Sequence, residues 1–156
     1  MQHTETNNNE KTARDESIAW SRLPVVALLA AVMAAVANVL VYFAASALGL
    51  IPENVLIPTS SGESPLTVGM VAGASVFGAV GAAIAFIVVG LFARRPVRLF
   101  RRVAAVALAL SFIPPFTIPG APVAMILSLE VMHVVAWAVI VGLLTTLARR
   151  ARGEIL

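Results

Sequence analysis

Four apolar stretches, at about residues 24–50, 66–92, 103–119 and 122–148, alternate with short polar segments along this chain. Each is about long enough to cross a hydrocarbon core near 30 Å thick, which a helix spans in roughly 20 residues. The polar segments are equally informative. Lys11, Arg14 and Arg22 precede the first stretch, Arg94, Arg95, Arg98, Arg101 and Arg102 fill the link between the second and third, and Arg149, Arg150 and Arg152 follow the fourth. The other two connections, 51–65 and 119–123, hold no Lys or Arg. Loops rich in Lys and Arg stay on the cytoplasmic side of a membrane. The pattern therefore predicts an all-α bundle of four transmembrane helices in up-down order, with both termini and the Arg-rich link at the cytoplasmic face of the cell membrane.

The same reading divides the chain into a disordered cytoplasmic tail (1–21), a transmembrane domain (22–148) and a short basic cytoplasmic tail (149–156). Asn7, Asn8 and Asn9 stand among charges and hydroxyls, with too little apolar surface to fold. Trp20 and Arg22 mark the interface, where an amphipathic ring and a cation sit at headgroup level. Pro24 suits a first helical turn. Ala45-Ser46-Ala47 resembles a signal-cleavage site, but the apolar stretch before it is too long for a signal core and a long polar segment precedes it, so a retained first helix is expected.

Within the spans, small residues and prolines predict packing and breaks. Span two carries a ridge of Gly73, Ala74, Gly78 and Ala82, which would let a neighbouring backbone approach closely and make this helix central. Span three is expected to be kinked or short, because Pro114 and Pro115 remove two backbone donors and crowd the carbonyls of Leu110 and Ser111. Pro119-Gly120-Ala121-Pro122 predicts a tight turn joining antiparallel spans three and four. The 51–65 link, with three prolines and a Thr59-Ser60-Ser61-Gly62 cluster, reads as irregular.

Composition agrees with a membrane domain: 60% of residues are apolar, 12% are charged and the mean hydropathy is +0.94. The net charge of +3 does not point to nucleic acid, because the basic residues cluster at span ends without the interleaved aromatics of a binding stripe. Arg94, Arg95, Arg98, Arg101 and Arg102 are expected to meet anionic lipid headgroups. With no cysteine, and only His3 and His133 as histidines, thiolate chemistry and His/Cys metal sites are excluded. No cofactor is expected.

Placed in a bilayer, the few polar residues of the spans fall at similar depth. Asn38 lies near the middle of span one, Ser111 of span three and His133 of span four, with Tyr42, Ser75 and Glu130 one turn outward. Ionisable groups inside a span are costly and face the bundle interior or water, which makes Glu130 and His133 the candidate site. Two readings stay open. Glu130 and His133 are either interhelical glue satisfied by Asn38, Tyr42 or Ser111, or a site for a proton or ligand; contact with a partner helix is a third use. A hydrolase built from Ser111, His133 and Glu130 is disfavoured, since no nucleophile elbow surrounds Ser111. No phosphate-binding glycine loop is present. The expectation is a non-enzymatic accessory or structural component. The alternative is a small proton-linked carrier, as a homo-oligomer or beside a membrane partner.

Leu110-Ser111-Phe112-Ile113-Pro114-Pro115 and Leu127-Ser128-Leu129-Glu130-Val131-Met132-His133 together resemble a family of small, uncharacterised bacterial four-helix membrane proteins. The likeness spans roughly residues 22–148. Its pattern of a Ser, two prolines and a Met-His pair on the last helix maps onto Ser111, Pro114, Pro115, Met132 and His133. Glu130 does not carry over. The resemblance implies the four-helix architecture and a domain of unknown function, and no activity.

Overall fold

The computed structural model describes residues 18–59 and 62–148. The expected tails at 1–17 and 149–156 lie outside the described residues. Four helices dominate: α1 (Leu23–Ala47), α2 (Val68–Phe92), α3 (Pro96–Ser111) and α4 (Val123–Leu147). A two-stranded hairpin, β1 (Leu56–Thr59) and β2 (Gly62–Pro65), joins α1 to α2, and a 3-10 turn at Pro114–Thr117 follows α3. Each helix, with that turn added to α3, is long and apolar enough to cross a membrane.

Helix ends follow local chemistry. At the end of α1, Gly49 (φ 69) donates to the Ser46 carbonyl and Leu50 to that of Ala45. This paired closure needs a left-handed residue, a conformation that glycine adopts without steric cost. It stops α1 three residues before the expected end at 50. Thr67 caps α2 by accepting from the Met70 amide at 3.3 Å. The beginning of α3 departs most from expectation. Instead of a link running to 102, only Ala93, Arg94 and Arg95 separate α2 from α3, and Arg98, Arg101 and Arg102 stand on the helix itself. Pro96 pre-sets the first turn, arginine is a good helix former, and its long stem can carry the charge away from an apolar face. A reading by hydropathy starts a span where the charges stop, whereas the helix starts where its backbone permits.

The 51–65 link is likewise ordered rather than irregular. Leu56 pairs with Pro65, Ile57 with Ser64, Pro58 with Glu63 and Thr59 with Gly62. A two-stranded ribbon has only edge strands, and there a proline can sit with its donor-less nitrogen turned away from the partner.

The helices form a ring in chain order. α1 packs most extensively on α2 and α4, while α3 closes the other side between α2 and α4. Phe86 of α2 and Phe100 of α3, both fully buried, meet edge to face at 4.8 Å and pack with Ala34, Ala79, Ile140 and Leu144. Large apolar side chains such as Leu28, Leu40, Phe77, Ile84 and Leu91 point outward, the surface expected of a bundle solvated by lipid.

The small-residue contact lies on a different ridge from the predicted one. Gly73, Ala74 and Gly78 are exposed, and a Cβ added at Gly73 or Gly78 would meet nothing within 4 Å. Ser75, Ala79 and Ala83 of α2 are buried instead, with Ala30 and Ala34 of α1. Ala82 alone of the predicted four packs against the core, half-buried. Small residues surround α2 on every side, so composition could not select the face.

One further correction concerns residues 18–21, expected to belong to a disordered tail. Ile18 and Ala19 are buried, the Ala19 amide donates to the Ala148 carbonyl at 2.8 Å, and Ile18 and Trp20 lie against Gly90. This short strap crosses the end of the bundle where the Arg residues gather. Its apolar side chains give it a reason to dock that the preceding polar residues lack.

Candidate functional site

The polar residues expected to meet at one depth separate into two groups, on opposite walls of the ring. Between α1 and α2, the Asn38 amide donates to Ser75 Oγ at 2.9 Å, and Ser75 Oγ donates to the Val71 carbonyl at 2.8 Å. Asn38 is buried to 5% exposure and its Oδ1 has no hydrogen-bond partner. Tyr42 donates its hydroxyl to the Leu66 carbonyl at 3.1 Å, tying α1 to the segment after the hairpin. These contacts tie α1 to α2 and to the segment before it, and neither Asn38 nor Tyr42 hydrogen-bonds Glu130.

The second group lies between α3 and α4. Trp137 Nε1 donates to the Ala104 carbonyl at 2.9 Å, and Arg101 Nη2 to Thr145 Oγ1 at 3.2 Å. Arg101 thus reaches a buried hydroxyl of α4, and like Arg94, Arg95, Arg98 and Arg102 it is exposed. The Trp137 bond fixes how the antiparallel helices face one another. Seven residues from Trp137 along α4 is Glu130, and seven from Ala104 along α3 is Ser111. Seven residues make almost two full turns and about 10.5 Å of rise, so Glu130 repeats the stripe of Trp137 on α4 and Ser111 that of Ala104 on α3.

Both carboxylate oxygens of Glu130 are buried, and neither has a hydrogen-bond partner. His133, one turn away on the same helix, uses Nδ1 on the Leu129 carbonyl at 2.8 Å. The two are therefore neighbours in sequence and not a hydrogen-bonded pair. Ser111 Oγ donates to the Leu108 carbonyl at 2.7 Å. Its backbone carbonyl lacks the donors a helix would provide, since residues 114 and 115 are both proline and have no N–H.

This neighbourhood is rich in acceptors and poor in donors. The C-terminal end of α3, on the stripe that Ala104 marks, is where helix carbonyls carry partial negative charge. Among the described residues, no three His, Cys, Asp or Glu side chains gather to hold a metal ion. The Glu130–Trp137 spacing of seven was the sequence signal that Glu130 faces α3, but it acquires meaning only once Trp137 is seen to bond Ala104.

Comparison with known protein families gives a match to a family of unknown function (DUF6069) over residues 18–152. No curated protein and no solved structure matches. The matched segment starts at the strap residue Ile18 and takes in all four helices. The chain belongs to this family.

Proposed function

We propose that this family member is a non-enzymatic multi-pass membrane protein acting as a small carrier, in which Glu130 takes up and releases a positively charged species inside the bundle. One observation carries the reading: a carboxylate buried within a transmembrane bundle with neither oxygen hydrogen-bonded. A charged side chain at the centre of a span costs about 2.5–3.5 kcal/mol on insertion scales, and a bound positive species offsets that cost. The structural use first expected of Glu130 draws no support from its contacts. Asn38, Tyr42, Trp137 and Arg101 bond across elements without it.

The reading as an accessory component of a larger assembly keeps one observation in its favour, the outward face of Gly73, Ala74 and Gly78, which nothing among the described residues covers. In either case we assign both termini and the arginine-bearing end to the cytoplasmic side, on the charge distribution. Reconstitution into vesicles separates the two. Wild-type protein should dissipate an imposed proton or alkali-cation gradient, and folded Glu130→Gln should lose at least about tenfold of that flux. Vesicles with wild-type protein no leakier than empty ones would remove the carrier and leave the accessory role.

A further inference from the structure

We infer that the species bound at Glu130 is a hard monovalent cation, of the Na⁺ or K⁺ class, held between the Glu130 carboxylate and the backbone carbonyl of Ser111 where α3 breaks off. This rests on the carrier reading for its purpose, though binding is testable without it.

Three features converge. First, the Trp137–Ala104 bond joins α4 to α3, and Glu130 and Ser111 repeat the stripes of those two residues, each two turns on toward the same end of the bundle. Second, the Ser111 carbonyl has neither of its helical donors, because Pro114 and Pro115 supply none; Ile113 donates instead to Leu110, at 3.2 Å. Broken helices with freed carbonyls and C-terminal ends are the means by which membrane carriers coordinate small cations. Third, among the described residues no Lys or Arg lies close to Glu130 along α4 or to the end of α3. The other titratable or charged groups on the four helices are Tyr42, Arg98, Arg101, Arg102 and His133. Tyr42 is bonded to the Leu66 carbonyl and His133 to that of Leu129. Arg101, bonded to Thr145, is ten residues from Ser111, about 15 Å along the helix, and Arg102 begins only one residue nearer. Arg98 is farther still.

The ligand class follows from the donors. One carboxylate balances one positive charge, and a site made only of oxygens suits hard ions. A divalent ion would call for more acidic groups than the described residues bring together. The carboxylate oxygens are shielded from solvent, a close setting that suits a bare ion better than a bulky organic ammonium.

The test is thermal unfolding of purified protein in detergent, with NaCl or KCl exchanged for N-methyl-D-glucamine chloride at constant ionic strength and several pH values. The midpoint should rise with the concentration of one alkali cation, by mass action on the folded state, and Glu130→Gln should abolish the rise. Pro115→Ala returns an N–H to the Ser111 carbonyl and should raise the half-maximal cation concentration roughly fivefold, the effect of one competing hydrogen bond. Pro114→Ala, whose N–H reaches the Ser111 carbonyl only in the poorer 3-10 geometry and otherwise faces a Leu110 carbonyl that already accepts from Ile113, should raise it clearly less. If Glu130→Gln does not fold, the proline pair decides. A midpoint that follows pH but ignores both cations makes the ligand a proton and overturns the inference, as does a cation effect that survives in Glu130→Gln or is equal in the two proline variants. Binding without vesicle flux would remove the carrier and leave the site; flux without cation binding would do the reverse.

Discussion

Replacing Gly90 with alanine should loosen the N-terminal strap, while the same change at Gly78 should not. A Cβ at position 90 would stand 2.5 Å from Ile18 Cδ1 and 3.0 Å from Trp20 Cη2. The Ile18 methyl can swing aside at an off-rotamer cost of about 0.5–1.5 kcal/mol, but the indole is rigid and must move as a unit. Overpacking of this kind typically costs about 1–3 kcal/mol. Against it stands the gain of about 1 kcal/mol from removing a glycine within a helix. The net expectation is a destabilisation of roughly 0–2 kcal/mol concentrated in the strap. At Gly78 the added methyl meets nothing within 4 Å, and only the gain remains. Hydrogen exchange reads the difference locally, because the Ala19 amide is held by the Ala148 carbonyl. Gly90→Ala should speed exchange at Ala19 several-fold and leave the centre of α1 unaffected; Gly78→Ala should change neither. Equal protection of Ala19 in wild type and Gly90→Ala would refute the claim that the strap is seated by the missing side chain.

Phe100→Ala should cost about 3–5 kcal/mol in detergent unfolding, since it empties the buried edge-to-face contact with Phe86. Asn38→Ala should cost only about 0.6 kcal/mol, the average for a hydrogen bond between membrane helices, because Ser75 keeps its bond to Val71. Reporter fusions within the 51–65 link and at the C terminus should report opposite sides of the membrane; agreement between them would break the up-down topology. Changing Arg94, Arg95 and Arg102 to Gln should weaken retention of anionic lipid by about 1 kcal/mol per residue, measurable from the lipid that copurifies.

Helix number and order were legible because hydrocarbon imposes a length on any apolar stretch that crosses it. The third helix was read seven residues late: Arg98, Arg101 and Arg102 lower the hydropathy without disturbing the helical backbone that Pro96 begins. The hairpin escaped notice because Pro58 and Pro65, ordinarily signs against a strand, are tolerated in a ribbon made only of edges. At the candidate site, depth could be counted along each span, which put Asn38, Ser111 and His133 near mid-span and Tyr42, Ser75 and Glu130 one turn outward. Facing direction could not be counted that way, so Asn38 and Tyr42 were grouped with Glu130 although they bond toward Ser75 and Leu66. Direction depends on how helices rotate against one another, and the Trp137–Ala104 bond that sets it pairs a side chain with a backbone carbonyl, leaving no trace in residue types.

The brevity of α3 also acts on the bilayer. Its 16 helical residues cover about 24 Å, whereas the 25 residues of α4 cover about 37 Å. Beyond the end of α3, lipid tails meet only the Pro114–Thr117 turn with its exposed Phe116, and a membrane relieves whatever mismatch remains by thinning locally. Glu130 sits seven residues from the start of α4, about 10.5 Å along the helix axis. Puckering of the leaflet at this corner would bring headgroups and water down toward the carboxylate, so that membrane thickness itself becomes a control on access. Lengthening the acyl chains of a reconstituted bilayer should then slow exchange at Glu130 without altering a single residue.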